Sequence, residues 1–458
     1  MRRWGTAEAG SVLAGVLWLL VLMMLVAAVG ARNSRIDGRV SLLSVEKTRC
    51  RWLDRAGVAT ATAALLADEQ DTDNLSEDWS ADAELLENVE MEGGSYNVKI
   101  TDESSKLNVN TAGKEQLMLL EGMTDQIAES ILDWRDRDDT ERTYGAESGY
   151  YQNLTYGYNC RNGSFRTVRE LLRVRGMTEE LFYGQQDVRT IGQGGWSRFL
   201  TCYSGVNNVD GLGNERVNVN EANQNQLKSK LEINDSQAKW IVEHRPFKTF
   251  AELMDAKKKA GSAGRESGSS STSAAGQDQN KSQSSGTKDS SSGSSESGTE
   301  KKQGSSKQRA QQGQQGQQSQ QKAQQGQPLD WETFLRVLDK MTLSSQKFSQ
   351  GTVNVNTAGA EVLETLLEGD ETLALGIVKT RQQRGGVYSS LGELMETEGM
   401  SKERLARLAD VLSVRSSVFS IKSEGISKVS GSRTYAEAVI RRQTGQPRIL
   451  YWLEGAGI

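Results

Sequence analysis

Histidine is almost absent from this chain of 458 residues, since His244 is the only one. A zinc site built on several histidines, or acid–base chemistry carried by histidine, therefore has no basis in the sequence. No nucleophile, base and acid stand together in a pattern typical of catalysis either. These absences predict a protein that is not an enzyme.

Cysteine is also scarce, with three residues and no Cys-x-x-Cys spacing. In an oxidising compartment Cys160 and Cys202 can form a disulfide, and the sequence leaves two free thiols equally open. Cys50 falls on a long helical pattern and is predicted to be a packing residue. The formal charge of -5 gives the chain no overall attraction for nucleic acid.

Residues 257–327 contain no Val, Ile, Leu, Met or aromatic residue and consist mainly of Ser, Gly, Gln, Lys and scattered acids. Such a composition cannot bury enough surface to fold, so this stretch is predicted to be a disordered linker. Two interpretations remain open: a surface insertion with no role of its own, or a tether between the parts that flank it.

One long apolar run covers residues 11–31, behind Arg2 and Arg3. About 20 apolar residues in helix span the membrane, and the preceding arginines favour a cytoplasmic amino terminus, so the body is expected outside the cytoplasm. Three interpretations compete: a secretory signal cut near Ala31, an uncut anchor, and a prepilin leader cut between Gly10 and Ser11. The run exceeds the about 7 to 15 residues of a secretory signal.

A helical pattern continues beyond the membrane, with apolar residues at Ile36, Val40, Leu43, Cys50 and Leu53. A helix from residue 11 to residue 66 would be ~80 Å long. The sequence therefore predicts one helix of which more than half stands outside the bilayer.

A repeat is the most specific internal signal. Its copies share the pattern hydrophobic-Asn-Val-Asn-x-Ala and begin at Leu107, Val217 and Val353. Each copy precedes two predicted helices joined by a short turn, which defines a helix-hairpin-helix. Similar tails begin at Pro246 and Val387, and the segment from Phe165 resembles them further along from the first copy.

Helix-hairpin-helix modules often bind DNA through a Gly-x-Gly turn that offers backbone N–H groups to a phosphate. The three turns here lack the second glycine and carry Glu121, Glu232 and Glu368. The hairpins are therefore predicted to be packing modules rather than DNA-binding modules.

An acidic segment follows the first hairpin, from Asp133 to Glu147. Carboxylates alternating in a loop suit a hard cation such as calcium, whereas composition alone favours a solvated charged loop. Strand patterns occupy residues 96–101, 418–422, 435–441 and 448–453, on both sides of the hairpins. The sequence therefore predicts an α+β fold with the helical repeats inserted into an antiparallel sheet.

At this point the chain resembles the general secretion pathway protein K family, the minor pseudopilins K of type II secretion systems. The resemblance rests on Gly10–Leu13, Tyr96–Asn110, Asp133–Asp139, Gly145–Glu147, Tyr150–Tyr151, Glu170–Leu171, Gly176–Thr178, Val217–Asn220 and Tyr451–Glu454. It implies a pilin-like long amino-terminal helix and antiparallel sheet with an inserted all-α (SAM-like) helix-hairpin-helix domain. The linker and the third hairpin depart from the family pattern and leave the shape of the inserted domain open.

The resemblance also implies a function: a subunit at the tip of a periplasmic pseudopilus that assists secretion across the outer membrane. Its implied partners are other minor pseudopilins, inner-membrane secretion components and prepilin peptidase, with no nucleic acid. It favours calcium at Asp136, Asp138, Asp139 and Glu147. The alternative is a membrane-anchored DNA receptor of the competence type, which lacks the strands around Tyr96 and at the carboxyl end.

Gly15 is the fifth residue after the predicted cut, where most pilin-like subunits carry a glutamate that pairs with a neighbour's amino terminus. A subunit at the tip has no neighbour above it, so the missing glutamate is interpreted as a marker of the tip; a small residue that eases helix packing is the simpler alternative.

The predicted organisation places an inner-membrane anchor before a periplasmic body. Its segments are a leader (1–10), a membrane helix (11–31), its periplasmic continuation (32–68), first strands (69–106), an inserted domain with two hairpins (107–256), the linker (257–327), a third hairpin (328–415) and carboxyl-terminal strands (416–458).

Overall fold

The computed structural model of the protein describes residues 8–184, 195–258, 326–443 and 446–455. Most of the predicted linker and the first seven residues of the predicted leader lie outside the described residues. The chain divides into two compact units, residues 1–216 with 338–458 and residues 217–337. The predicted inserted domain at 107–256 therefore spans parts of both units.

Helices and short strands alternate along the chain. The α-helices are α1 (Glu8–Ala67), α2 (Asp78–Ala81), α3 (Ala83–Leu86), α4 (Lys114–Met118), α5 (Asp125–Arg135), α6 (Ser148–Gln152), α7 (Glu179–Tyr183), α8 (Gln224–Leu231), α9 (Asp235–Glu243), α10 (Trp331–Val337), α11 (Ala360–Leu366), α12 (Glu371–Gln383) and α13 (Lys402–Leu408). The strands are β1 (Val89–Met91), β2 (Gly94–Asp102), β3 (Leu107–Asn108), β4 (Leu200–Thr201), β5 (Gly205–Asn207), β6 (Val217–Asn218), β7 (Met341–Thr342), β8 (Phe348–Gln350), β9 (Val353–Asn354), β10 (Leu412–Ser413), β11 (Val418–Ser427), β12 (Arg433–Arg441) and β13 (Arg448–Glu454).

The predicted long helix is confirmed, because α1 runs without a break for 60 residues. Residues 12–45 are exposed throughout. Beyond them, burial recurs every three or four residues, at Glu46, Cys50, Leu53, Asp54, Gly57, Val58, Ala61 and Leu65. The predicted apolar stripe is thus covered from Cys50 onward, while Ile36, Val40 and Leu43 remain exposed.

The sheet has five antiparallel strands in the order β1-β2-β11-β12-β13. The four predicted strands are confirmed, and β1 is an addition that the sequence patterns did not indicate. Strand β2, before the hairpins, pairs with β11, after them, and Ile100 lies opposite Ile421. The chain therefore leaves the sheet after β2 and returns to it at β11, which confirms the α+β description.

Helix α1 packs on one face of this sheet. The core between them consists of Val58, Ala61, Leu65, Trp79, Leu86, Tyr96, Val98, Ile100, Phe419, Ile421, Ala436, Ala438 and Ile440. Glycines permit the close approach: a Cβ on Gly57 would lie 2.3 Å from Ser423 Oγ, and one on Gly425 would lie 2.1 Å from the Cys50 carbonyl oxygen. Sequence periodicity indicates which face of α1 is buried. The two glycines allow that face to approach the sheet closely.

All three repeats fold as helix-hairpin-helix modules with the same internal lock. An arginine within two residues of the end of the second helix donates to two backbone carbonyls of the repeat loop, 26 and 23 residues earlier in every copy. The sets are Arg135 with Val109 and Ala112, Arg245 with Val219 and Ala222, and Arg381 with Val355 and Ala358.

A second lock joins each loop to its tail. The second Asn of the repeat exchanges two hydrogen bonds with the backbone of an aromatic residue, in the pairs Asn110–Phe165, Asn220–Phe247 and Asn356–Tyr388. These pairs are 55, 27 and 32 residues apart. The first tail is displaced because the acidic segment is inserted between the hairpin and the tail.

The first and third hairpins each include a short parallel strand pair, β3 with β4 and β9 with β10. The inserted region is therefore mostly, but not entirely, helical.

Asp102, at the end of β2, fastens the third hairpin to the sheet. Its buried carboxylate accepts hydrogen bonds from Asn354 Nδ2 at 3.2 Å, Ser416 Oγ at 2.6 Å and the Thr357 hydroxyl.

Candidate metal centre

Helix α5 delivers the first two acids of the candidate site. Its last residue, Arg135, is held by the hairpin lock, so the preceding turn is fixed. Asp133 lies in this turn and is fully buried, and Asp136 caps the helix at its carboxyl end. Because residues three apart share a helix face, both carboxylates reach the same side.

The returning loop delivers the third acid. A Cβ on Gly145 would lie 1.8 Å from Asp133 Oδ2, so the loop passes over Asp133 only with a glycine there. Glu147 directly precedes α6, but its side chain makes no capping hydrogen bond to that helix. The carboxylate is therefore available to face Asp133 and Asp136.

Aromatic side chains pack against one another beneath the loop. Trp134 meets Tyr151 edge-on, with ring centroids 5.1 Å apart, and stacks on Phe165 at 6.2 Å. The Tyr151 hydroxyl also accepts a hydrogen bond from the Arg175 N–H at 3.2 Å. This packing holds α6 against α5 and thereby sets the position of Glu147.

Carboxylate oxygens of Asp133, Asp136 and Glu147 lie within 4.8 Å of one another. Both oxygens of Glu147 and Oδ1 of Asp136 are buried without a hydrogen-bond partner. Unpaired buried carboxylate oxygens are costly, and calcium is a cation that binds oxygen ligands of this kind. The residues present therefore fit an oxygen-liganded divalent cation.

The electrostatics of the cluster agree with this fit. Burial, reinforced by repulsion from Asp133, Asp136 and Asp139, raises the pKa of Glu147 to about 7. Burial also raises the pKa of Asp133, although hydrogen bonds from Arg142 oppose that change. The site concentrates more negative charge than its surroundings compensate.

One protein cation already contacts the cluster. Arg142 Nη1 pairs with Asp136 Oδ2 at 2.6 Å and with Asp133 Oδ1. Glu147 receives no such contact. One positive charge thus faces three carboxylates.

The structure groups a different set of carboxylates from the predicted one. Asp138 lies outside the cluster, because its exposed carboxylate accepts from the backbone N–H of Thr140 at 3.0 Å. Asp139 accepts from the Ser148 N–H at 3.3 Å and from Asn162 Nδ2 at 3.4 Å, so it is a neighbour of Glu147 and not a member of the three. The sequence interpretation took all its ligands from the loop after the helix and left out Asp133. The signal that could have identified Asp133 is its three-residue spacing from Asp136 at the end of one helix.

The sequence left open whether Cys160 and Cys202 pair, and in the structure all three cysteines are free and buried. The Cys160 thiol faces the Asp133 carbonyl at 4.0 Å, beside the acidic cluster. Cys202 instead follows β4, where its own carbonyl accepts from Gln350 at 3.3 Å. Cys50 is a packing residue, as predicted.

A second acidic cluster, Asp68, Asp73 and Glu77, was not predicted. Its charges have protein partners: the buried Arg442 pairs with Asp68 at 3.0 Å and with Asp73. Glu77 accepts from Asn74 and from the Trp79 indole N–H, the latter at 2.6 Å. This cluster is therefore a satisfied structural network.

The predicted cleavage residues lie near the start of α1, which begins at Glu8, so Gly10 and Ser11 are both helical. No atom of another element lies within 4 Å of a Cβ placed on Gly15. Within the described residues, the helix from Val12 to Ala67 contains a stretch of mean hydropathy 2.9 that is long and apolar enough to cross a membrane.

The fold is of the α+β, pilin-like class, with a long amino-terminal helix, an antiparallel sheet and helix-hairpin-helix modules inserted between strands of that sheet. Within the class, residues 94–184 match the family model "Type II secretion system (T2SS), protein K", and residues 349–413 match "Helix-hairpin-helix motif". The resemblance to the protein K family is therefore confirmed for residues 94–184.

A curated relative from Escherichia coli (strain K12), named for type II secretion system protein K, is 38% identical over 61 residues. The match covers 13% of this chain and 19% of that relative, so the chain spans about a fifth of the relative's length in this match. A solved structure, the GspK-GspI-GspJ complex from the type 2 secretion system of enterotoxigenic Escherichia coli, contains a chain that is 12% identical, with a TM-score of 0.47 and coverage of 91% of this chain and 99% of that one.

Proposed function

We propose that this chain is a minor pseudopilin of a type II secretion system, anchored by one inner-membrane helix with its body in the periplasm. The observation that carries the proposal is the division of α1: an apolar amino-terminal part exposed along its whole length and a carboxyl-terminal part packed on a sheet. A helix divided in this way suits a subunit that anchors in the membrane and assembles through its helix.

The decisive experiment is mass spectrometry of the protein extracted from membranes. An amino terminus at Ser11 supports cleavage by prepilin peptidase and retention of the apolar helix. A terminus at Arg32 would contradict the pseudopilin function, since the anchor would then be a removed signal.

The proposed position is the tip of the pseudopilus, and the proposed partners are other minor pseudopilins and inner-membrane secretion components. Support comes from Gly15, which leaves no carboxylate at the fifth position of the mature helix. There the subunit would assist secretion across the outer membrane.

The competence-type DNA receptor has one observation in its favour, the match of residues 349–413 to a helix-hairpin-helix model. Against it stand the hairpin turns, where Glu232 and Glu368 occupy the left-handed region with φ of 54° and 59°. A phosphate approaching these turns would meet a carboxylate. Micromolar binding of duplex DNA with a steep salt dependence would favour the receptor.

We also propose that Asp133, Asp136 and Glu147 bind calcium. The ion would neutralise the buried carboxylates and tie the carboxyl end of α5 to the start of α6. Calorimetry on the mature protein in detergent should show calcium binding that Asp136→Asn weakens by about tenfold or more, since a ligand charge is lost.

The matched control is Asp138→Asn, which removes the same charge from the same loop outside the cluster. It should bind calcium almost as the natural protein does. Equal heats from all three proteins would assign the loop to solvated structure.

A further inference from the structure

Arg142 lies within the acidic cluster formed by Asp133, Asp136 and Glu147. Arg142 Nη1 contacts Asp133 Oδ1 and Asp136 Oδ2, so it holds two of the three carboxylates that could bind a cation. The guanidinium therefore stands where an incoming cation would have to bind.

The charge balance of this arrangement is incomplete. The guanidinium contacts two of the three carboxylates, and both Glu147 oxygens stay buried and unpartnered. A divalent cation carries twice the charge and collects oxygen ligands from several directions, whereas a planar guanidinium directs its donors within one plane. The cluster is thus better matched by a divalent cation than by its own arginine.

The Arg142 side chain is also able to leave the cluster. Its side chain is 40% exposed, against 0% for Asp133, so it can turn into solvent while the aspartate stays in place. The backbone around it is held independently: the Arg142 N–H donates to Asp133 Oδ2 at 3.2 Å, and the Tyr144 N–H donates to Glu129 at 2.7 Å. The side chain can leave without unfolding the loop.

We propose that Arg142 is an internal counter-ion that a divalent cation must displace, so that this residue weakens calcium binding and sets the concentration at which the site fills. The inference rests on the proposed calcium site. Both Asp133 oxygens already accept hydrogen bonds from Arg142, and Asp136 Oδ2 pairs with its guanidinium. A metal ion that uses these two carboxylates therefore competes with Arg142. The apparent affinity is therefore reduced by the fraction of molecules in which Arg142 occupies the cluster.

The test compares Arg142→Gln with Arg137→Gln in the mature full-length protein in detergent, titrated with calcium chloride by calorimetry. Both variants remove one positive charge from the same loop. Arg137 is exposed and makes no ion pair within the described part of the chain, so it controls for the general effect of charge. Arg142→Gln should bind calcium about tenfold more tightly, and Arg137→Gln should differ by about twofold at most.

A second measurement separates competition from a structural role. Without calcium, Arg142→Gln should melt at a lower temperature than the natural protein, because three carboxylates then lack a counter-ion. With saturating calcium it should gain more than the natural protein does. If Arg142→Gln does not fold, Arg142→Lys tests the same point, because a single ammonium cannot bridge both aspartates in the same way and should raise the affinity by a smaller factor.

The outcomes distinguish this inference from the calcium site itself. Unchanged or weaker calcium binding by Arg142→Gln, with clear binding by the natural protein, would overturn the displacement and leave the site intact. An equal gain in Arg137→Gln would also overturn it, since net charge would then explain the effect. Absence of calcium binding in all the proteins would refute the site, and this inference with it.

Discussion

An arginine near the end of the second helix makes the same contact in all three hairpins. Two carbonyls of the repeat loop accept their hydrogen bonds from this one side chain in every copy. A guanidinium has enough donors in a fixed fork to satisfy both from one side chain. Arg381 is the most enclosed example, with 9% exposure.

We predict that Arg381→Met lowers the free energy of unfolding by about 1–3 kcal/mol, because it leaves two buried carbonyl groups without donors. Chemical denaturation monitored by circular dichroism measures it. Lys379→Met is the matched control, since Lys379 is exposed on the same helix. A loss of the same size in both variants would mean that the arginine lock contributes nothing specific.

Asp54 is a second residue whose environment makes a prediction. It is fully buried where α1 meets the sheet, with Oδ2 accepting from the Thr434 hydroxyl at 2.8 Å and Oδ1 unpartnered. Burial raises its pKa from 3.8 to about 6, reinforced by the charge of Glu454 and opposed by the Thr434 hydrogen bond and by Arg55. The folded state therefore holds the proton more tightly than the unfolded chain.

The contribution of Asp54 to the free energy of unfolding therefore depends on pH. The acid loses its proton in the unfolded chain near pH 3.8 and in the folded protein near pH 6, so its contribution to stability falls across this window as the pH rises. Asp54→Asn cannot ionise and should melt above the natural protein at pH values beyond about 6, with the difference vanishing towards pH 3.8.

Thermal melts across this pH range check the prediction, with Asp37→Asn as the control from an exposed position of the same helix. A difference between Asp54→Asn and the natural protein that did not change with pH would contradict it.

At the scale of elements, the contact between α1 and the sheet depends on glycines at the point of closest approach. A Cβ on Gly57 would press on Ser423 Oγ at 2.3 Å and on Val98 Cγ2 at 2.8 Å. Helix propensity alone would favour alanine at this position by about 1 kcal/mol, so packing and propensity act in opposite directions.

We predict that packing prevails and that Gly57→Ala destabilises the protein by about 1–3 kcal/mol, the usual cost of overfilling a packed contact. Gly38→Ala is the control, because nothing lies within 4 Å of a Cβ there. It should not lower the melting temperature, because only helix propensity, which favours alanine, acts at this position. A stabilised Gly57→Ala protein would show that the helix and sheet can move apart at little cost.

The first hairpin shows how an element acquires a site without losing its fold. The acidic segment enters between the second helix and the tail, and both locks of the hairpin survive, at Arg135 and at Asn110. The inserted loop is therefore anchored at both ends by the same contacts that close the other two hairpins. This anchoring places Glu147 opposite Asp133 and Asp136.

At the scale of the whole molecule, the apolar amino-terminal part of α1 determines whether copies of the chain can assemble with one another. A glutamate at position 15 would be an intramembrane charge that needs the amino terminus of a neighbour, and this chain has Gly15 instead. We predict that the purified mature protein does not polymerise by itself and that cross-linking in cells finds it at one end of the pseudopilus. Negative-stain microscopy checks the first point; long homopolymers, or cross-links along the whole shaft, would contradict the tip position.

The sequence by itself determined the long helix, the four main strands and the three hairpins. Each follows from a local pattern in the sequence. The patterns are apolar residues every three or four positions in α1, alternating apolar and polar residues in the strands, and repeated Asn-Val-Asn loops followed by helices. The tails were also visible, including the displaced one at Phe165, because the residues that lock them recur in type and order.

Only the tertiary structure decided which side chains meet. It grouped Asp133, rather than Asp138 and Asp139, with Asp136 and Glu147. It also left Cys160 and Cys202 unpaired and brought Arg142 into the acidic cluster. It also fastened Asn354 of the third hairpin to Asp102 of the sheet, 252 residues earlier. The physical reason is that local patterns fix the direction of a side chain relative to its own helix or strand, whereas charges and thiols find partners according to where the ends of different elements converge, and that convergence is set by the packing of the whole chain.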